Sequence, residues 1–193
     1  MNKRLLTASL SALAALSFSF SASLMANERV GDFALLDHEG LFHHMAWYDN
    51  RKAIVLMVQT NSSITAEQGL PEFLAVQQAH ADDFQFFMLN PLGESRASVA
   101  ANVAARGHDI PVLIDDAQLI AEALDVRAAG EVLVLDPRSF QLSYRGPVSG
   151  LSQALQELDA GNTVSKPELA VSGEAISYPA RDANMARTVS YTE

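Results

Sequence analysis

Three groups of residues hold donors or nucleophiles close enough in the chain to act together. The first is Thr60-Asn61-Ser62-Ser63, with Thr65 just beyond, between a strongly apolar run and a helical pattern. The first backbone N–H groups of a helix have no partner inside it, so a polar run at that point can do two things. It can cap the helix with a side-chain oxygen, which makes Ser62 or Ser63 the expected N-cap. It can also leave the N–H groups to an anion or a carboxylate, with Asn61, Ser62, Ser63 and Thr65 as the expected ligand-binding residues. A serine nucleophile is a third possibility, and it requires an adjacent general base with an orienting partner. There is no Gly-x-Ser-x-Gly element and no histidine near Ser62 in sequence, which leaves only a base brought close in space, such as His80 or His108.

The second group is His43-His44-Met45, a short cluster of imidazole and thioether donors of the kind copper accepts. If the segment is a strand, adjacent side chains point to opposite faces, and His43 and His44 do not share one ion. They are therefore weak metal candidates, and no metal or other cofactor is expected. Trp47 and Tyr48 either pack the N-terminal segment on the domain or line a partner surface. The third group is the acid pairs Asp82-Asp83 and Asp115-Asp116, expected as solvated turn charges rather than paired catalytic acids.

Composition narrows the chemistry further. The chain has no cysteine, which excludes disulfides, thiol redox catalysis, Cys-ligated metals and covalent haem attachment through Cys-x-x-Cys-His. Its net charge of -10 is a poor match to a phosphate backbone, so nucleic acid is set aside as a partner. A hydrophobic fraction of 49% over 193 residues allows one domain with a proper core and argues against wholesale disorder.

The elements that must position these residues follow from the apolar pattern. Lys3 and Arg4, then an uncharged run from Leu5 to Phe20 and small residues around Ser21–Ala26, describe a secretory signal peptide over residues 1–26. The mature chain is then expected to be exported, periplasmic or secreted, with no transmembrane segment after cleavage. Residues 30–37 read as a short strand and turn with Leu41–His44 able to return beside it. Residues 53–59 are nearly all apolar, as a strand covered on both faces requires. A helix follows to about His80, with Gly69 and Pro71 predicting a kink or a two-part helix. Further strands are expected over residues 83–89, 110–114, 131–137 and 140–144, with helices ended by Gly107, over Leu119–Leu124, and ended by Gly161. This is a βαβ half followed by a hairpin and a helix, which suits a mixed sheet flanked by helices. The domain spans residues 27–160, and residues 161–193 read as an extended tail.

In order and spacing, these segments resemble the thioredoxin-like superfamily, in particular its exported redoxin, peroxiredoxin-like branch. The segments that carry the resemblance are Asn61-Ser62-Ser63-Ile64, Leu70-Pro71-Glu72-Phe73, Pro111-Val112-Leu113-Ile114-Asp115, Ala129-Gly130-Glu131, Val134-Leu135-Asp136-Pro137 and Tyr144-Arg145-Gly146. The resemblance covers residues 30–160 and implies an α/β thioredoxin-like fold, a central mixed β-sheet flanked by helices with an N-terminal β extension. It places Ser62 where the branch carries its reactive cysteine, Ser63 where a proline follows it, and Gly130 in place of the cis-proline that faces the thiol. Those departures remove thiol peroxidase and disulfide reductase activity, so Ser62, Ser63 and Gly130 mark a degenerate site. Gly130 is then expected to open space opposite the helix start and to free a backbone N–H, joining the ligand-binding residues.

The tail resembles a connector found in larger exported relatives, where a redoxin domain leads into a cytochrome c domain and a copper monooxygenase-like region. In Val171-Ser172-Gly173-Glu174-Ala175-Ile176, Glu174 takes the cysteine-like position, and Thr188–Glu193 resembles the stretch that opens the haem domain. The resemblance implies a catalytically inactive exported module that binds or supports another exported protein, such as a cytochrome c or a copper oxidase-like protein. The alternative is a non-thiol enzyme or a His/Met copper-binding protein that uses the former active-site region.

Overall fold

The computed structural model describes residues 30–188, so the expected signal peptide and residues 189–193 lie outside the described residues. Seven strands are assigned: β1 Ala34–Leu36, β2 Phe42–His44, β3 Ile54–Val58, β4 Gln85–Asn90, β5 Val112–Ile114, β6 Glu131–Leu135 and β7 Leu142–Pro147. The helices are α1 Ile64–His80, α2 Arg96–Arg106, α3 Leu119–Ala123, α4 Val148–Asp159 and α5 Pro179–Thr188, with a short 3-10 turn at Met45–Tyr48.

Strands β3 to β7 form one sheet in the order β5-β4-β3-β6-β7. β3, β4 and β5 run parallel, while β6 pairs antiparallel with β3, and β7 with β6. The central strand is buried at all five positions, and its side chains divide between two cores. Val55 and Met57 pack with Leu70 and Phe73 of α1, Val99 of α2 and Leu151 and Leu155 of α4. Ile54, Leu56 and Val58 face the opposite core, made by Val30, Phe33, Met45, Leu124 and the tail residues Ile176 and Tyr178. β4 and β6 divide in the same way, so the continuous apolar runs are the period-two consequence of burial on both faces. Each such Leu, Val or Phe contributes about 1.5–3 kcal/mol on burial, which makes this sheet the dominant stabilising unit.

Local chemistry sets the helix ends. Ser63 caps α1, its hydroxyl accepting the Ala66 N–H at 2.9 Å, and Ser95 caps α2 in the same way through Ser98. Gly107 stops α2 at φ +68°, with its N–H on the Val103 carbonyl.

Two local expectations are corrected. α1 is a single element of 17 residues with Pro71 inside it rather than two pieces, because Leu70, Phe73 and Val76 are all buried from the same helix. β7 begins at Leu142 rather than at residue 140, because Asp136 binds Arg138 and Ser139 in a tight turn and Phe140 adopts φ +55° before the strand starts. The tail crosses the domain in extended form to Tyr178 and then turns helical as α5. Along that path the Arg145 N–H donates to the Pro167 carbonyl, and the Leu169 N–H donates to the Arg145 carbonyl. The tail thereby covers the outer edge of β7 with a parallel contact at Glu168.

Candidate functional site: the start of helix α1

Where β3 ends, Thr60 to Ser63 turn the chain into α1. The apolar strand delivers this turn beside the segment Arg127–Gly130, which precedes the antiparallel neighbour β6. The turn is held from below by a buried polar network. Glu94 accepts the Asn61 N–H at 3.0 Å and the Asn90 side-chain amide at 2.6 Å. Gln59 accepts from Asn90 and donates to Asn102, and the Asn61 side chain donates to Ser98. Gln59 and Asn90 are almost fully buried, so this partnering is what makes their burial tolerable. Asn61 is committed inside the scaffold through its N–H, its side chain and its carbonyl, which accepts from Asn102 and Arg106.

The first turn of α1 is occupied by the tail. Ser63, at 1% exposure, donates its hydroxyl to Glu174 Oε2 at 2.7 Å while accepting the Ala66 N–H. The Ile64 and Thr65 N–H groups donate to Glu174 Oε1 at 3.0 and 3.4 Å. A carboxylate therefore sits on the free donors and on the positive end of a 17-residue helix. The Ser63 hydroxyl first, then the backbone N–H groups of Glu174 itself, Ile64 and Thr65, lower the Glu174 pKa from 4.5 to about 2. The main chain around Glu174 is also paired. The Ala129 N–H donates to the Glu174 carbonyl at 2.9 Å, and the Ile176 N–H donates to the Arg127 carbonyl at 3.0 Å, around an antiparallel bridge between Ala128 and Ala175. A Cβ at Gly173 would lie 2.1 Å from the Ala129 carbonyl oxygen, so only glycine permits this approach.

Gly130 does not behave as expected. Its N–H is not free but donates to the Val58 carbonyl at 2.8 Å, and the space before it is filled. A Cβ there would meet Thr65 Cγ2 at 2.7 Å, and the backbone is left-handed at φ +81°. The glycine closes the cleft against Thr65 instead of opening it.

The remaining candidates lie apart. Ser62 is exposed on the turn. His80 stands at the far end of α1 with its ring against Phe84, and His108 lies beyond α2, where burial first and then His38 lower its pKa. His43 and His44 face different partners, as strand alternation requires. The His43 ring bridges Asp37 and Tyr48 at 2.8 Å each, whereas His44 pairs with Asp32. Met45 is fully buried in the second core. Burial alone would raise the Asp37 pKa, but the His43 bond and the N–H groups of Leu41 and Glu39 outweigh it and hold the group down. Tyr48 is shifted the other way, by burial and by Asp37, so its phenol is no nucleophile near neutral pH. Among the described residues no group of three or more His, Asp or Glu converges on a metal position. Asp115 corrects the reading of the acid pairs: it is buried, accepts the Ala121 N–H at 2.7 Å at the start of α3, and has its pKa raised by that burial.

Glu174, Glu94, Gln59 and Asn90 carry no motif that marks them as site residues in the sequence. Glu174 meets Ser63 across 111 positions. The resemblance of its neighbourhood to a connector with cysteine at that place was the single pointer to it.

Solved structures of this architecture exist. A hypothetical protein from Sinorhizobium meliloti superposes with a TM-score of 0.69 at 21% identity, over 79% of this chain and 93% of that one. Peroxidoxin BcpB from Mycobacterium tuberculosis matches at 0.58 and 16% identity, over 69% of this chain and 96% of that one. An exposed lipoprotein thioredoxin from Streptococcus pneumoniae matches at 0.54 and 19%, over 67% and 99%. The fold is thioredoxin-like. No family model matches the chain, and no curated protein matches its sequence. A thioredoxin-like domain without cysteine has no thiol to ionise, so thiol-dependent peroxidase and disulfide-reductase chemistry is closed to it. No described helix is long and apolar enough to cross a membrane.

Proposed function

We propose that this thioredoxin-like domain is an exported, periplasmic or secreted module that binds or supports another exported protein, a redox protein such as a cytochrome c or a copper oxidase among the candidates. The observation that carries the reading is an exposed apolar face on the N-terminal hairpin. Leu36, Leu41, Phe42 and Trp47 are between 46% and 60% exposed, and Phe42 and Trp47 meet edge to face at 5.5 Å. Beside them lies a groove of about 510 Å³ lined by Leu35, Leu36, Phe42, Ile114, Glu94 and Arg96. Apolar residues clustered next to a concave, polar-rimmed surface are the form that protein recognition sites take. The signal-peptide pattern of residues 1–26 supports the exported setting.

His43, His44 and Met45 face three different environments, so no observation favours the copper-binding alternative, and among the described residues no histidine is hydrogen-bonded to Ser62 to favour the enzyme.

The test uses the purified chain as bait in periplasmic extract, beside its Phe42→Ser and Trp47→Ser variants. The expected result is one protein retained by the parent chain and lost from both variants, with no peroxide or insulin-disulfide turnover. Turnover by the cysteine-free chain, or equal retention by all three, overturns the reading.

A further inference from the structure

We infer that His38 is a pH-sensitive latch: its neutral ring pins the turn between β1 and β2 onto the edge of β5, and protonation of that ring releases the turn and opens the end of the groove beside Leu36 and Phe42. The inference rests on the reading of that groove as a docking surface and supplies its regulation.

β5 is an edge strand of the sheet, and the hairpin turn covers it. Asp37 and Leu113 form an antiparallel bridge, and the His38 N–H donates to the Val112 carbonyl at 2.9 Å. The return bond is made by a side chain: the Val112 N–H donates to His38 Nδ1 at 3.2 Å. A ring nitrogen accepts only through its lone pair, so this bond exists only while Nδ1 is unprotonated and the proton sits on Nε2. An imidazolium donates from both nitrogens and sets one N–H against another. Val112 is fully buried, so its N–H has no ready replacement in water.

A second imidazole stands close by. His108, between α2 and β5, has a buried Nδ1 with no hydrogen-bond partner among the described residues. Burial first, then His38 and then Arg106 lower the His108 pKa, while Asp109 acts against them. A proton on either ring therefore opposes one on the other. From the turn itself, Asp37 is turned to His43 and Glu39 is exposed, while Arg96 of α2 reaches Gly40.

The rest of the hairpin responds differently. Phe33 and Met45 are buried in the second core, and His43 and His44 pair with Asp37 and Asp32. The Asp37 carboxyl is held below its ordinary value and stays charged where imidazole titrates, so a proton on His43 keeps that contact as an ion pair. Acid thus frees the turn and leaves the strands of the hairpin in place. Leu36 and Ile114 adjoin the Asp37–Leu113 bridge, one on each segment, and both line the groove, so the bridge sets its width there.

The experiment uses the full chain and its His38→Asn and His38→Ala variants, followed by NMR from about pH 7.5 to about pH 5.5. Asn offers an amide oxygen as an acceptor that does not titrate, and Ala offers none. In the parent chain His38 is expected as the Nε2–H tautomer at the upper pH. Protection of the Val112 amide, corrected for the intrinsic exchange rate, is expected to fall at least about tenfold as the ring takes up its proton, the ratio that one lost hydrogen bond of about 1.4 kcal/mol produces. The Leu36 and Ile114 amide signals should move in step. His38→Asn keeps the protection at both pH values, and His38→Ala lacks it at both. A Nδ1–H tautomer at the upper pH overturns the inference. So does Val112 protection that is unchanged in the parent or that falls equally in His38→Asn. If the variants lose the fold, the tautomer and the Val112 step of the parent decide. These readings need no partner. A pH step in a chain that captures nothing through Phe42 and Trp47 keeps the latch and refutes the docking reading, whereas capture by a chain without the step does the reverse.

Discussion

Ser63 and Gly130 act on the cleft from opposite sides, Ser63 through its hydroxyl and Gly130 through its backbone conformation. The Ser63 hydroxyl caps α1 and also contacts Glu174, so its loss removes one acceptor and one donor at a buried position. Gly130 sits at φ +81° with Thr65 where a side chain would be. Any L-residue there meets both a disfavoured conformation and a clash. Gly130→Ala is expected to destabilise the domain by about 1–3 kcal/mol, read from the urea midpoint. Ser63→Ala is expected to cost about 0.5–2 kcal/mol by the same measurement, the range for loss of a helix cap. That Ser62 or Ser63 caps the helix could be read in the sequence, because a cap's partner is three residues away, and the structure selects Ser63. The role of Gly130 could not, because it depends on Thr65 and Val58 arriving from α1 and β3.

At the scale of elements, the sheet edge at β7 depends on a charge buried beneath it. Arg145 donates to Glu131 at 2.9 Å and to the carbonyls of Asp125 and Leu124, with both ionic side chains at 3% exposure or less. Its backbone meanwhile carries the tail at Pro167 and Leu169. Removing one partner strands the other charge in a low-dielectric setting, which costs more than the pair itself contributes. Glu131→Ala is therefore expected to lower stability by about 3–5 kcal/mol in urea unfolding and to loosen the tail, read as faster amide exchange at Leu169. The strands themselves were legible, since Ile54–Val58 and Glu131–Leu135 are runs that only a doubly covered strand explains. Their partners were less so: the tail contact on β7 involves few side chains and leaves no periodic trace between Lys166 and Tyr178.

For the molecule as a whole, acid is the condition that tests these contacts together. Asp37, Asp136 and Glu174 all have folded pKa values below their ordinary ones. A carboxylate of lowered pKa binds protons more tightly when unfolded, so its contribution is fully present above the unfolded value and is lost as pH falls through the folded one. Asp115, raised by burial, works in the opposite sense and offsets part of the loss. The urea midpoint is expected to fall between about pH 4.5 and pH 2, and the Glu174→Gln variant should show a shallower decline there. An unchanged slope in that variant would mean that the carboxylate does not hold the tail at neutral pH.

Some properties of this protein depend only on which residues are present. The absence of cysteine closes thiol chemistry whatever the fold, and the apolar runs specify a covered sheet because each satisfies a local period. A serine cap at Ser62 or Ser63 belongs with these, because a hydroxyl three residues before a free N–H needs no distant partner, although the choice of Ser63 is the structure's. The tertiary structure alone decided that the helix start left without a thiol receives the carboxylate of Glu174, that Gly130 closes against Thr65, and that Asp115 is buried rather than solvated. Each of those outcomes depends on where a distant part of the chain crosses the sheet, and sequence separation carries no record of that path.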